Sequence, residues 1–97
     1  MTQQIKHISV GPTGSTSINA SIPNTSTLIT LTGVCTQVTV VNYSSSALLY
    51  VNMYGNTATT SNFYLAPGAS KTWDGENWST FSILGSVASG NYGVDAH

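Results

Sequence analysis

The sequence predicts an all-β protein, a single small β-sandwich or jelly-roll-like barrel of about eight short antiparallel strands. Three observations predict it. Short runs of alternating or β-branched residues recur along the chain, and turn signals built on Gly, Pro, Asn and Ser separate them roughly every eight to twelve residues. No window of a dozen residues keeps a 3.6-residue apolar period. At 97 residues the chain is long enough for one modest core and too short for a second, so residues 1–97 read as one domain.

The elements follow in order. "IKHISV" (Ile5 to Val10) alternates until Pro12, set between glycines, breaks it. Residues 1–10 read as an edge strand or as an N-terminal arm that docks by strand addition through Ile5, Ile8 and Val10. "TSINASI" (Thr16 to Ile22) runs to a turn at Pro23 and Asn24. "LITLTGV" (Leu28 to Val34) and "QVTVVNY" (Gln37 to Tyr43) read as two further strands. Cys35, between them, has no partner for an internal disulfide and reads as a small buried hydrophobe.

Ser44 to Ser46 then lead into "ALLYVNMYG" (Ala47 to Gly55). Leu49, Val51 and Met53 form an apolar face that predicts the core side, while Leu48, Tyr50, Asn52 and Tyr54 form a mixed face. Tyrosines on such a face suit contact with a partner, because tyrosine buries much area at small entropy cost and keeps a polar tip. Cover by a neighbouring loop is the alternative. Phe63 and Leu65 share a face before a Pro67-Gly68 turn, and Lys71 and Trp73 share a side after it. "DGENW" (Asp74 to Trp78) reads as a tight reversal into "STFSILGS" (Ser79 to Ser86), with Phe81 and Ile83 inward. "NYGVDAH" closes the chain with Tyr92 and Val94 on one face.

Charged residues make up only 5% of the chain, against roughly 25% in ordinary soluble domains. Few groups would need desolvating when another protein packs on such a surface, and few Lys or Glu residues are on hand to guard sheet edges. Membership of a larger assembly, as a dimer or trimer, is the expectation. Nucleic acid is excluded as a partner because Lys6 and Lys71 are the whole cationic supply. A membrane is excluded because no apolar run approaches the roughly 18 residues of a span, and "MTQQIKHISV" lacks the basic and apolar regions of a secretory signal.

The acids are Asp74, Glu76 and Asp95, and the imidazoles His7 and His97. Neither a carboxylate pair across a cleft nor a nucleophile triad can be assembled from these spacings, so no catalytic residue, metal site or cofactor is expected. The candidate ligand or interface residues are Trp73, Asp74, Glu76 and Trp78, with Tyr50, Tyr54 and Tyr64. Two tryptophans beside an acidic turn could hold a sugar ring, or could simply anchor the end of a hairpin.

Several pieces resemble small β-sandwich structural proteins of tailed bacteriophages, among them capsid decoration and related head or fibre domains. The pieces are Val40-x-Asn42-x-Ser44, the Leu49 to Val51 strand, the Phe63 to Thr72 hairpin, the Gly75 to Gly85 segment and Gly90 to Val94. The resemblance covers about the C-terminal two thirds of the chain. It implies a non-enzymatic virion protein, made in the host cytoplasm, that cements capsomer junctions on the capsid surface. Its partner would be the major capsid protein or another virion subunit. A carbohydrate- or receptor-binding module, lectin-like and fibre-associated, is the alternative.

Overall fold

The computed structural model describes residues 4–7 and 17–97, with side chains described from Asn19 onward. Seven strands are present among them: β1 (Gln4–His7), β2 (Ser17–Ser21), β3 (Thr27–Asn42), β4 (Leu49–Asn52), β5 (Phe63–Leu65), β6 (Ser70–Gly85) and β7 (Asn91–Ala96). They form one sheet in the order β2-β7-β3-β6-β4-β5, all antiparallel, with β1 added parallel to the first part of β3.

Two long strands organise the molecule. The expected pair Leu28 to Val34 and Gln37 to Tyr43 is one continuous β3, and the expected reversal at Asp74 to Trp78 is the middle of a continuous β6. The reason lies in the bulges. The register between β3 and β6 shifts on either side of Cys35, which faces Trp78. Gly33 and Gly75 sit there at φ 84° and 82°, a conformation glycine adopts without steric cost. Glycines that look like turn signals therefore bend the strands instead of reversing them.

The bends fold the sheet over on itself. The first part of β3 and the last part of β6 lie with β1, β4 and β5, while the second part of β3 and the first part of β6 lie with β7 and β2. Side chains from both halves meet in one core: Ile29, Leu31, Leu49, Val51, Phe81 and Ile83 from one, Val38, Val40, Tyr92, Val94 and Ala96 from the other. The result is an all-β, sandwich-like fold. The inward faces expected for Leu49, Val51 and Met53, for Phe81 and Ile83, and for Tyr92 and Val94 are the buried ones, and Cys35 is buried with them as a free thiol. Burial pushes that thiol's pKa up, as it does for any acid that must ionise in an apolar setting.

Tyr92 places a buried polar atom in this core. Its hydroxyl is buried and makes no hydrogen bond within the described structure, and burial pushes its pKa up to about 12. The neutral phenol is therefore favoured in the folded state. The sign follows: folding is unaffected below the unfolded value of about 10 and loses stability as pH rises from about 10 toward 12. Tyr92→Phe should raise stability at neutral pH by about 1 kcal/mol, because it deletes an unpaired buried hydroxyl. It should also flatten the alkaline decline. Urea unfolding of both proteins at pH 7 and pH 11 checks this, and a destabilised Tyr92→Phe at pH 7 would show that the hydroxyl has a partner.

Candidate functional site

The corner where β3, β5 and β6 meet is built by one side chain. Asn42 ends β3 fully buried, and its Nδ2 donates to the carbonyls of Ala47 (2.8 Å) and Leu65 (3.0 Å), while its Oδ1 accepts from the Ser44 amide at 2.9 Å. Ser44 Oγ in turn accepts from the amides of Ser46 (3.1 Å) and Ala47 (2.9 Å). The backbone of Asn42 joins the Pro67-Gly68 turn, donating to Ala69 O and accepting from Gly68 N, both at 2.9 Å. Gly68 has φ 81° and Ala69 N donates to Ala66 O, as a type II turn with Pro at its second position requires. Val40-x-Asn42-x-Ser44 and the Pro-Gly hairpin are thus the local chemistry that sets where β5 and the start of β6 lie.

On this corner stands an exposed aromatic rim. Phe63 and Leu65, expected on one inward face, differ: Leu65 is buried but Phe63 is 51% exposed. β5 is an edge strand among the described strands, so the inward side of Phe63 lies at the margin of the core, where it meets Trp73 edge-on with ring centroids 5.8 Å apart. Lys71 Nζ lies 5.6 Å from the centroids of both rings, within cation–π range. On the opposite face of β5, Tyr64 is 54% exposed and packs edge-on against Tyr50 across the strand pair, at 6.0 Å. The outer strand therefore presents aromatic rings on both faces and a cation beside them.

The other expected residues form a second group. Trp78 is buried and lies in the core opposite Cys35, and Trp73 is half-buried against the same core, so the two tryptophans do not flank a turn. The bulge at Gly75 keeps the strand running and directs both indoles inward. Tyr54 is 70% exposed; its hydroxyl donates to Glu76 Oε2 at 2.8 Å, and its ring centroid lies 6.5 Å from that of Trp78. That hydrogen bond to the carboxylate raises the Tyr54 pKa, with desolvation and the carboxylate's charge adding to it. Tyr54, Glu76 and Trp78 line a shallow polar cleft with Asn56 and Asn77. Asp74 is exposed on β6 opposite Gln37, and Asp95 pairs with His97 at 3.3 Å. Among the described residues no group of three or more His, Cys, Asp or Glu comes together as a metal site.

For the expected docking arm, Ile5 lies in β1 opposite Leu28, in a strand paired within the domain's own sheet, while Ile8 and Val10 lie outside the described residues. The sequence names Asn42, Phe63 and Lys71 as parts of a strand end and a hairpin, but not as candidate site residues. Their only signals there are an Asn closing an apolar strand before three serines, and an aromatic next to a Pro-Gly hairpin.

No family model matches the chain, and no curated protein matches it. Among solved structures the fold is similar to that of a bacterial protein. It is PliG of Aeromonas hydrophila, a periplasmic lysozyme inhibitor of g-type lysozyme, at a TM-score of 0.52 and 12% identity, over 99% of this chain and 100% of that one. At that identity the likeness shows the fold. It also overturns the expectation of a phage capsid decoration protein, because this structural neighbour is a periplasmic lysozyme inhibitor and neither a head nor a fibre protein. Three of the pieces that carried the resemblance have local structural roles here: an asparagine clamp, a type II hairpin and a glycine-bulged strand, none of which specifies a function.

Proposed function

We propose that this chain is a non-enzymatic protein-binding domain of the inhibitor type, which docks on a lysozyme-class glycoside hydrolase and obstructs it. The observation that carries this reading is the rim formed by Phe63 and Tyr64 of the edge strand β5 with Lys71 of β6. Aromatic residues at a protein surface are costly to leave in water, and they supply most of the energy where proteins meet. Here they are held rigid by ring contacts with Trp73 and Tyr50 and by the Asn42 corner, so little side-chain freedom is lost on binding. The class of target comes from PliG, whose fold matches over its full length.

Lys71 gives the rim a sign. Glycoside hydrolases of this class work with a pair of carboxylates, and a cation stacked on two rings suits an acidic surface better than a basic one.

The test is titration of the purified chain into a g-type lysozyme while the clearing of a cell-wall suspension is followed, with calorimetry for binding. Saturable inhibition at one chain per enzyme is expected, and Phe63→Ala should weaken it at least tenfold while thermal unfolding stays cooperative. Phe63 is half exposed, so its truncation leaves the core filled. No binding and unchanged clearing at a hundredfold excess of the chain would overturn the reading.

A further inference from the structure

The open edge of β6 goes beyond that reading. β6 pairs with β3 along one side, but with β4 only over its last four residues, Ser82 to Gly85. Among the described residues no strand pairs its other side from Ser70 onward to that point. From Ser70 to Asn77 every residue is exposed except the half-buried Trp73. This is a long, accessible run of backbone donors and acceptors, the feature that most readily recruits a second chain.

The chain's few charges are not scattered over its surface. It has five charged residues, Lys6, Lys71, Asp74, Glu76 and Asp95, and three of them fall between positions 71 and 76. Asp74 and Glu76 flank Gly75, whose φ of 82° marks the bulge that breaks the regular ladder. Glu76 is also tied from the β4 side by the Tyr54 hydroxyl, 2.8 Å away. Carboxylates, a bulge and a tethered side chain are three separate ways to spoil an edge, and all occur within one turn of strand.

We infer that Asp74, Gly75 and Glu76 are an edge guard that keeps β6 from pairing with a second copy of this chain. Two identical edges meeting antiparallel about a two-fold axis bring the same short segment against itself. Centred on Gly75, such a pair places two carboxylates of one copy against two of the other, and the bulge removes the regular hydrogen bonds that would offset the repulsion. The expectation of a homo-oligomer, drawn from the scarcity of charge, thus turns on where the charges are rather than on their number.

Sedimentation velocity over a concentration series tests this, with Gly75 kept in every protein. Wild type should sediment as a monomer of 10.1 kDa. Asp74→Thr with Glu76→Thr should self-associate at least tenfold more tightly than wild type. Asp74→Lys with Glu76→Lys should stay monomeric, since either sign of charge repels its own copy. Tyr54→Phe keeps both charges and should stay monomeric too; association by it as strong as the threonine pair's would overturn the role of charge. Wild type in 1 M salt, where charges are screened within about 3 Å, should associate more than at low salt. That measurement decides the matter if the threonine pair fails to fold. A wild-type dimer at low salt, or no response to either neutralisation or salt, would overturn the inference. Hydrolase inhibition is read separately, so either proposal can fail alone.

Discussion

Asn42→Ala is expected to remove about 3 to 4 kcal/mol of stability, a large share of the roughly 5–15 kcal/mol that holds a domain of this kind. The cost does not come from lost apolar burial. It comes from three backbone groups, the carbonyls of Ala47 and Leu65 and the amide of Ser44, left in a dry corner without partners. Asn42→Asp should be as damaging, because a carboxylate cannot donate to two carbonyls and would be buried beside them. Ser44→Ala removes two accepted bonds at the same loop and should cost about 1 kcal/mol, with the double variant falling short of the sum because the two side chains share one network. Urea unfolding of wild type and the four variants measures this, and a loss below 1 kcal/mol for Asn42→Ala would mean that water satisfies the corner. Since Leu65 follows Phe63 and Tyr64 directly in β5, loss of Asn42 should also loosen the rim proposed to bind a hydrolase.

Gly85→Ala is the second large effect, at about 3 kcal/mol, and its cause is contact rather than conformation. A methyl group at Gly85 would overlap Ile22 Cγ2 and lie 2.8 Å from the carbonyl oxygen of Pro23 and 2.9 Å from that of Val87. The side chain of Ile22 could turn away, but the two carbonyls are backbone, and the Gly85 amide already donates to Pro23 O at 2.7 Å. Crowding of this kind in a packed interior costs on the order of 1–3 kcal/mol. Ile22→Ala removes Cγ2, so Gly85→Ala should cost nearly as much in the Ile22→Ala background as in wild type, a double-mutant cycle that separates backbone from side-chain crowding. Gly68→Ala is the contrast: φ is 81° but a methyl group there meets nothing within 4 Å, so only about 1 kcal/mol of conformational cost is expected. Equal losses at Gly85 and Gly68 would refute the contact argument.

The two-residue alternation of a strand needs only neighbours in sequence, and wherever it was clear the faces were legible: Leu49 and Val51, Phe81 and Ile83, and Tyr92 and Val94 point inward as their pattern demands. The all-β class and the Pro67-Gly68 turn were legible for the same reason, since both rest on local backbone chemistry. The two tryptophans were not. Whether Trp73 and Trp78 flank a turn or enter the core depends on whether Gly75 reverses the chain or bends it, and a positive φ serves either outcome. The long partner strand β3 decides between them by pairing with β6 on both sides of the bulge. Phe63 shows the same limit, because its alternation with Leu65 is correct yet only the position of β5 at the sheet margin leaves one buried and the other exposed. Asn42 is the strongest case: a polar residue closing an apolar strand has meaning only once Leu65, 23 residues later, is brought within 3.0 Å of it. Local order follows from the chain's own pattern, while the rim, the clamp and the open edge exist only because strands remote in sequence meet.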